Sequence, residues 1–170
     1  MEKLVEREER FIQKRAPGTL AVKIPLRLPV SWPTGPYMGR FLKEIKENAK
    51  IWGIKCPKCG RIVAPPRTIC GSCHLVQKEW VPLGNEGTLL YFSVVFQKFT
   101  DPQTGEERNV PYAWGVIELD GGGVINHYLS ETEITKLLQW RGKRVRVVFK
   151  DKKDRKGDFW DIKYFTLVEE

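Results

Sequence analysis

The chain has 170 residues, of which 41% are hydrophobic, and a formal net charge of +8, so it can form one ordinary domain or two small ones with buried cores. That composition argues against global disorder, and no apolar run approaches the roughly 20 residues needed to cross a bilayer. The charged start, MEKLVEREER, lacks the apolar centre of a signal peptide, so we expect a soluble protein of the cytoplasm.

The positive charge is unevenly distributed. Residues 1–83 carry 16 Lys and Arg against 7 Asp and Glu, whereas residues 84–170 carry 13 against 14. A general electrostatic binder of nucleic acid would normally spread positive charge over its whole binding domain. The near-neutral C-terminal half is therefore weak evidence against that role.

The N-terminal region contains three different patterns. Residues 2–15 predict a short helix that Pro17 and Gly18 stop, with an apolar stripe too thin to stabilise it alone. Residues 36–50 show apolar residues at helical spacing opposite a charged face, which predicts an ordinary amphipathic helix with Pro36 in its first turn.

Between these helices, residues 20–33 alternate apolar residues with other types, which predicts an extended segment with one apolar face. Pro25, Pro29 and Pro33 are spaced four residues apart, so all three remove backbone donors from the same edge. The segment can therefore pair along one side only. It fits an arm laid over a surface, its own or a partner's, and equally an edge strand of the protein's own core.

The centre of the chain carries the strongest motif, two C-x-x-C pairs ten residues apart. Two such turns place four thiolates around one cation, and a closed S4 shell is typical of structural rather than catalytic zinc. Gly60 stands where such a turn commonly needs a positive φ. The sequence therefore predicts a zinc site formed by Cys56, Cys59, Cys70 and Cys73.

Other uses of these cysteines fit less well. Disulfides are unusual in an intracellular chain, and thioredoxin-like redox chemistry would need a βαβ context that is missing. Iron remains open as the loaded metal, because a tetrathiolate site suits both iron and zinc. His74 follows Cys73 directly, but four thiolates already complete the shell, so we expect a surface residue.

From residue 84 onward the pattern predicts strands at 87–96, 112–119, 124–129, 144–149 and 159–168. Turns are expected at 101–105 and 121–123, with a charged turn at 151–158. A short helix over 131–140 follows the third strand, with Ser130 as its cap and Glu133 at the third helical position. Three strands, a helix and two strands is the order of an OB-fold barrel.

These elements predict a mainly β protein with N-terminal helices, in which a rubredoxin-like zinc ribbon precedes a five-stranded OB-fold barrel. The expected domains are residues 1–51 for the helices and arm, 52–83 for the ribbon and 84–170 for the OB-fold.

A search for catalytic residues finds none. Zinc binding would leave no cysteine free as a nucleophile, and His127 lies among aromatics in a strand, where a barrel or surface histidine is expected more often than a base. The glycines at 121–123 precede a strand rather than a helix, unlike a phosphate-binding loop. We therefore predict that the chain is not an enzyme.

Aromatic residues recur through the OB region and could be barrel core, stacking platforms for bases or the wall of a nucleotide site. Core is the default expectation for most of them. The basic stretch from Arg141 to Lys156 is usually a solvated turn, with phosphate contact as the less frequent alternative.

The order of these motifs resembles a known family. An amphipathic helix, CPKCG…APPR…CGSCH, VPYAWGVIELDGG and a terminal OB pattern are similar, over about residues 36–170, to zinc-ribbon OB-fold proteins associated with acyl-CoA enzymes and abundant in archaea. The resemblance implies an accessory subunit that bridges acetoacetyl-CoA thiolase and hydroxymethylglutaryl-CoA synthase, so that acetoacetyl-CoA passes between them. Other members partner hydratases and aldolases that act on acyl-CoA thioesters.

A coenzyme A site shared with a partner would need cations for the phosphates and an aromatic wall. Four residues around the first OB hairpin meet that need and are our candidates for ligand binding: Lys98, Arg108, Tyr112 and Trp114. The alternative function is binding of single-stranded nucleic acid, because zinc ribbons and OB-folds often occur together in such proteins.

Overall fold

The structure is a computed structural model that describes residues 32–98, 107 and 109–168. The chain divides into two units, Met1–Trp32 and Pro33–Glu170, and the helices and strands reported below lie in the second. The predicted helix over 2–15, the arm up to residue 31 and the turn at 101–105 lie outside the described residues, and so does Arg108.

The first described helix, α1, spans Gly35–Asn48 and confirms the helix predicted over 36–50. A proline lies in its first turn, as the fixed φ of proline allows. The helix ends at Ala49, which has a left-handed φ of 50° and donates its N–H to the carbonyl of Ile45 at 3.2 Å. Phe41 and Ile45 form the buried side of the helix.

A small antiparallel sheet follows α1 and carries the cysteine turns. Its strands are β1 (Trp52–Lys55), β2 (Ile62–Val63) and β3 (Glu79–Pro82), in the order β2-β1-β3. The first C-x-x-C turn joins β1 to β2, and the second lies in the connection from β2 to β3. This sheet is the zinc ribbon.

The remaining strands form one five-stranded sheet in the order β6-β5-β4-β7-β8. They are β4 (Glu86–Val95), β5 (Tyr112–Leu119), β6 (Val124–Tyr128), β7 (Arg144–Phe149) and β8 (Ile162–Leu167). Helix α2 (Ile134–Trp140) lies between β6 and β7 in the chain. A parallel bridge between Leu129 and Phe165 joins the two outer strands, so the sheet closes into a barrel. The predicted fold class, a zinc ribbon followed by a five-stranded OB-fold, is confirmed.

The barrel is filled by fully buried aliphatic and aromatic side chains, because alternate residues of each strand point inward. On β5, for example, Ala113, Ile117 and Leu119 are buried. Leu137 of α2 is also fully buried and joins the same cluster. The core includes Leu89, Ile125, Val145, Ile162 and Phe165.

Helix α1 lies between ribbon and barrel and contacts both. On the ribbon side, Tyr37 stacks on Trp80 with ring centroids 5.9 Å apart, and Arg40 lies 4.4 Å from the same ring centroid. On the barrel side, Phe41 stacks on Phe159 at 6.4 Å. The helix predicted only as amphipathic is therefore packed against two neighbours.

The helix between the third and fourth barrel strands is shorter than predicted, and its cap is different. It begins at Ile134 rather than 131, and its N-cap is Glu133 without a side-chain hydrogen bond. The hydroxyl of Ser130 instead bonds Thr166 at 3.0 Å, while Glu131 accepts the N–H groups of Thr132 and Glu133. The prediction of Ser130 as the cap is wrong because barrel closure engages that side chain.

The last strand also starts later than predicted. Phe159–Asp161 forms a 3-10 turn, and β8 begins at Ile162 rather than 159. The buried carboxylate of Asp161 accepts the N–H groups of Lys156 at 2.9 Å and Gly157 at 2.7 Å. These bonds fold the preceding segment into a compact turn instead of an extended strand.

The predicted domain limits at residues 51/52 and 83/84 stay a prediction. Both limits fall at buried residues, because the side chains of Ile51 and Leu83 belong to the core. The N–H of Leu83 also donates to the carbonyl of Ile51 at 2.9 Å. Neither α1 nor α2, the two α-helices among the described residues, combines the length and the apolar character needed to cross a membrane.

Candidate metal centre and aromatic face

The two C-x-x-C turns have the same backbone design. Cys56 accepts the N–H of Gly60 at 3.0 Å, and Cys70 accepts the N–H of His74 at 2.9 Å, in both cases through the carbonyl oxygen. The residue that closes each turn has a positive φ, 71° at Gly60 and 56° at His74. The prediction for Gly60 is confirmed, and His74 adopts the same conformation although it carries a Cβ.

The two turns bring all four thiols together. The four sulfur atoms lie within 4.8 Å of one another, and the Sγ atoms of Cys59 and Cys70 are 3.9 Å apart. Tetrahedral zinc with Zn–S bonds of about 2.3 Å needs sulfurs about 3.8 Å apart. The donor set and its spacing therefore fit a structural zinc ion, which would tie the two turns into one rigid unit.

Backbone amides prepare the site for thiolates. The N–H of Cys59, followed by that of Lys58, lowers the pKa of the Cys56 thiol to about 6. Hydrogen bonding with the Cys59 thiol, together with burial, raises the pKa of Cys73 to about 12 in the metal-free cluster. Four thiolates cannot coexist this closely without a cation, so metal binding must displace the remaining protons.

Both histidines are placed by the structure. His74 is exposed and is not part of the four-sulfur group. His127 is fully buried in the barrel, with ring contacts that include Phe159 at 5.1 Å and Trp114 at 6.1 Å. Burial lowers its pKa to about 4, partly offset by the backbone of Phe159, so the ring is neutral at pH 7.

Four aromatic residues form a connected surface on one side of the barrel, which we call the aromatic face: Tyr112, Trp114, Tyr128 and Trp160. Tyr128 is its centre, stacked on Trp114 at 4.4 Å and on Trp160 at 5.5 Å, with Tyr112 edge-on at 5.6 Å. These residues come from β5, β6 and the connection before β8, which is the ligand-binding side of many OB-folds.

A shallow groove of about 300 Å³ adjoins the aromatic face. Tyr112 and Tyr128 form part of its wall, and Lys163 supplies a cation. Of the four predicted ligand residues, Tyr112 lines the groove and Trp114 lies beside it on the aromatic face. Lys98 is exposed after β4, whose Val95 pairs with Tyr112. The predicted ligand residues did not include Tyr128, which β5–β6 pairing places opposite Trp114, or Lys163, which barrel closure brings to the same groove.

Two residues of the basic stretch have structural roles. Arg144 forms a bidentate contact with Asp120, which lowers the pKa of that carboxyl, and also reaches Glu86 at 3.4 Å. Arg155 donates to the carbonyls of Lys150 and, at the end of α1, Lys46, at 2.8 and 2.9 Å. These contacts favour the interpretation as a structured turn over a phosphate site.

Comparison with known families agrees with this architecture. Residues 46–75 match the family model of the ChsH2 rubredoxin-like zinc ribbon domain, and residues 80–150 match that of the ChsH2 C-terminal OB-fold domain. The chain therefore contains a ChsH2-type zinc ribbon domain followed by a ChsH2-type OB-fold domain. The matched ranges contain all four cysteines, Tyr112 and Trp114.

Several relatives carry the description "DUF35 domain-containing scaffold protein". The one from Methanocaldococcus jannaschii is 28% identical over 120 residues, which cover 70% of this chain and 81% of the relative. The one from Pyrococcus furiosus is 25% identical and covers 56% of this chain and 67% of the relative.

Two solved structures share the fold. A DUF35 family protein of unknown function from Sulfolobus solfataricus aligns with a TM-score of 0.53 at 20% identity, covering 79% of this chain and 87% of that one. The Ltp2-ChsH2(DUF35) aldolase aligns with a TM-score of 0.55 at 18% identity, covering 80% and 98%. At these identities the likeness concerns the fold alone.

Proposed function

We propose that the chain is a non-catalytic scaffold that binds acyl-CoA enzymes in the cytoplasm, with acetoacetyl-CoA thiolase and hydroxymethylglutaryl-CoA synthase as its partners. The observation that carries this proposal is the pairing of a four-thiol ribbon with an OB barrel in a family whose relatives are described as scaffold proteins. The fold neighbour described as an Ltp2-ChsH2(DUF35) aldolase supports an enzyme as the partner class.

The four cysteines hold a zinc ion in this proposal, and the ion supplies structure only. Its four thiolate ligands leave no open position for substrate or water. The protein then presents two firm surfaces, the ribbon and the aromatic face. Rigid surfaces lower the entropy cost of holding two enzymes together.

Bridging has a thermodynamic purpose for this pair of enzymes. Thiolase condensation is unfavourable, so removal of its product by a neighbouring active site draws the reaction forward. A bridge raises the effective concentration of the product at the second site without any new catalytic group.

We further propose that the groove beside Tyr112 contributes to a coenzyme A site shared with a partner. A volume of about 300 Å³ is at the lower end for small-molecule sites, so it suits part of a coenzyme while the partner encloses the rest. Tyr112 and Trp114 offer an apolar wall, and Lys98 and Lys163 offer cations for phosphates. Arg108 remains a candidate on sequence grounds.

The partner proposal is tested by co-expression of the chain with the thiolase and the synthase of its own host. We expect a stable complex of defined stoichiometry in size-exclusion chromatography with light scattering, and a faster overall conversion of acetyl-CoA than with the two enzymes alone. Separate elution of all three proteins at low salt would overturn the proposal.

The coenzyme site is tested in that complex by titration with coenzyme A. Tyr112→Ala should weaken binding about tenfold or more, since an aromatic stacking partner contributes about 1–3 kcal/mol. Tyr91→Ala is the matched control, because Tyr91 is 60% exposed on β4 and does not line the groove. Equal affinities of the two variants would count against a site at Tyr112.

Binding of single-stranded nucleic acid is the second candidate, favoured by the stacked rings of Trp114, Tyr128 and Trp160 on the OB-fold. It predicts salt-dependent binding of oligonucleotides by the isolated chain. A flat fluorescence-anisotropy titration at low salt would eliminate this function.

A further inference from the structure

The second cysteine turn is the tip of a short hairpin over residues 68–77, which we call the knuckle hairpin. Ile69 and Val76 form an antiparallel bridge, and Gln77 donates its N–H to the carbonyl of Thr68 at 2.8 Å. Metal ligation at Cys70 and Cys73 would fix the tip, so its two faces point in defined directions.

The inner face of the knuckle hairpin packs toward α1. Gln77 is fully buried, and its Nε2 donates to the backbone carbonyl of Arg67 at 2.9 Å. The backbone carbonyl of Gln77 accepts a hydrogen bond from the hydroxyl of Tyr37 at 2.8 Å. Because neighbouring residues of an extended strand point to opposite sides, Val76 must face away from this contact.

The outer face is apolar and exposed. Ile69 and Val76 are cross-strand partners and therefore project from the same face, with 52% and 48% of their surface exposed. Leu75, next to Val76, is 43% exposed. Ile69 and Val76 therefore form the apolar centre of the outer face, and Leu75 adds exposed apolar surface at the tip of the hairpin.

Positive charge is concentrated in the part of the chain that contains this tip. Residues 49–78 contain six Lys or Arg and no Asp or Glu. Lys55 alone of these six pairs with a carboxylate among the described residues, Glu79 at 3.5 Å. Four thiolates on one zinc ion would leave two negative charges inside the ribbon, fewer than the surrounding cations. Arg67 and Lys78 are both exposed and lie two residues from Ile69 and Val76, so these two cations form a basic rim beside the apolar centre.

We propose that the outer face of the knuckle hairpin docks an acidic protein surface with an apolar centre, an inference that rests on the scaffold function proposed above. An apolar core within a charged rim is the usual anatomy of a protein interface. A second copy of this chain does not fit, since a symmetric contact would place basic rims against each other. Nucleic acid fits poorly, because residues 56–78 contain no Phe, Tyr or Trp on which bases could stack.

Two double variants test the two components of the surface. Ile69→Ser/Val76→Ser removes the apolar centre, and Arg67→Glu/Lys78→Glu reverses the charge of the rim. Matched controls are Leu138→Ser, which alters a 59% exposed leucine on α2, and Lys152→Glu/Lys153→Glu on an exposed turn. One metal ion per chain in each variant shows that the ribbon has folded.

The measurement is the affinity of each full-length variant for the purified enzymes of the co-expressed complex. Both ribbon variants should bind one enzyme about tenfold or more weakly, as expected for interface centres and complementary charges, while the controls stay within about twofold. The rim variant should also show a smaller dependence on salt.

If the unaltered chain binds the enzymes and both ribbon variants bind them with the same affinity, this inference is overturned and the scaffold function still stands. No binding by the unaltered chain overturns both proposals. Tight binding of single-stranded oligothymidine that only the rim variant loses would assign the surface to nucleic acid instead.

Discussion

The ribbon and the barrel keep their structures by different means. The barrel buries large side chains from every strand, such as Leu89, Ile117 and Phe165, none of which is exposed. The ribbon has strands of only two to four residues, and two of its buried side chains are the metal-ligand candidates Cys56 and Cys70. A region of that size cannot fold on its own apolar core, whereas the barrel can. Stability should therefore depend on metal in one region and on packing in the other.

Removal of the metal should produce the largest difference between the two regions. Structural zinc contributes about 10 kcal/mol or more to the folding of small domains, so chelation or Cys70→Ser should release the amide hydrogens of β1–β3 while β4–β8 stay protected. Hydrogen exchange with mass spectrometry measures this directly. Ser72→Ala, in the same turn but without a ligand atom for zinc, should keep both regions protected. Joint unfolding of ribbon and barrel would contradict the division.

Truncation in the barrel core should have the opposite pattern. Leu137→Ala should lower the free energy of unfolding by about 2–5 kcal/mol, because Leu137 is fully buried and a cavity would remain. Leu138→Ala on the same helix is the control and should change it by less than about 0.5 kcal/mol, since Leu138 is 59% exposed. Denaturant titration gives both values, and the zinc content of both variants should equal that of the native chain.

Acid should act on the barrel through His127. Burial lowers the pKa of this histidine to about 4, from 6.5, so between these values the unfolded chain takes up a proton that the folded protein does not. Stability should therefore fall as the pH drops through this window, by at most about 1.4 kcal/mol per pH unit. In His127→Phe this component is absent, so the difference in unfolding free energy between native and variant should change from pH 6.5 to pH 4. A constant difference would show that His127 is not buried as a neutral ring.

The smallest effect should come from the two residues that close the cysteine turns. His74 has a φ of 56°, which costs a residue with a Cβ roughly 1 kcal/mol, so His74→Gly should tighten zinc binding slightly. Gly60→Ala should weaken it by a similar amount through conformation alone, because a Cβ at Gly60 would meet no atom within 4 Å. Competition with a chelator measures both. Effects of the same sign would contradict the shared design of the turns.

Patterns local in sequence predicted most of the fold. The spacing of the cysteines predicted a four-thiol cluster, and the β-rich residue pattern after residue 84 predicted β5 and β7 with the bounds observed in the structure. Wrong boundaries occur where distant residues compete for a local group. Ser130 was expected to cap a helix, but Thr166 and the carbonyl of Phe165 bind its hydroxyl and amide instead. Asp161 likewise turns a predicted strand start into a 3-10 turn.

The candidate ligand site was only partly accessible from sequence. Tyr112 and Trp114 lie two apart on one strand, so their common face follows from alternation. Tyr128 lies on β6 opposite Trp114, whereas Lys163 of β8 reaches the same groove only through barrel closure. The positive φ of His74 could have been predicted, because it occupies the position in the second turn that Gly60 occupies in the first.

The guanidinium of Arg155 determines how this protein should be cut for biochemical work. It bonds the carbonyl of Lys150 within the barrel segment and that of Lys46 at the end of α1. A fragment that begins at residue 84 would leave this cation without its helical acceptor and would expose the ring of Phe159 that Phe41 covers. Fragments for crystallography or binding assays should therefore begin before Gly35.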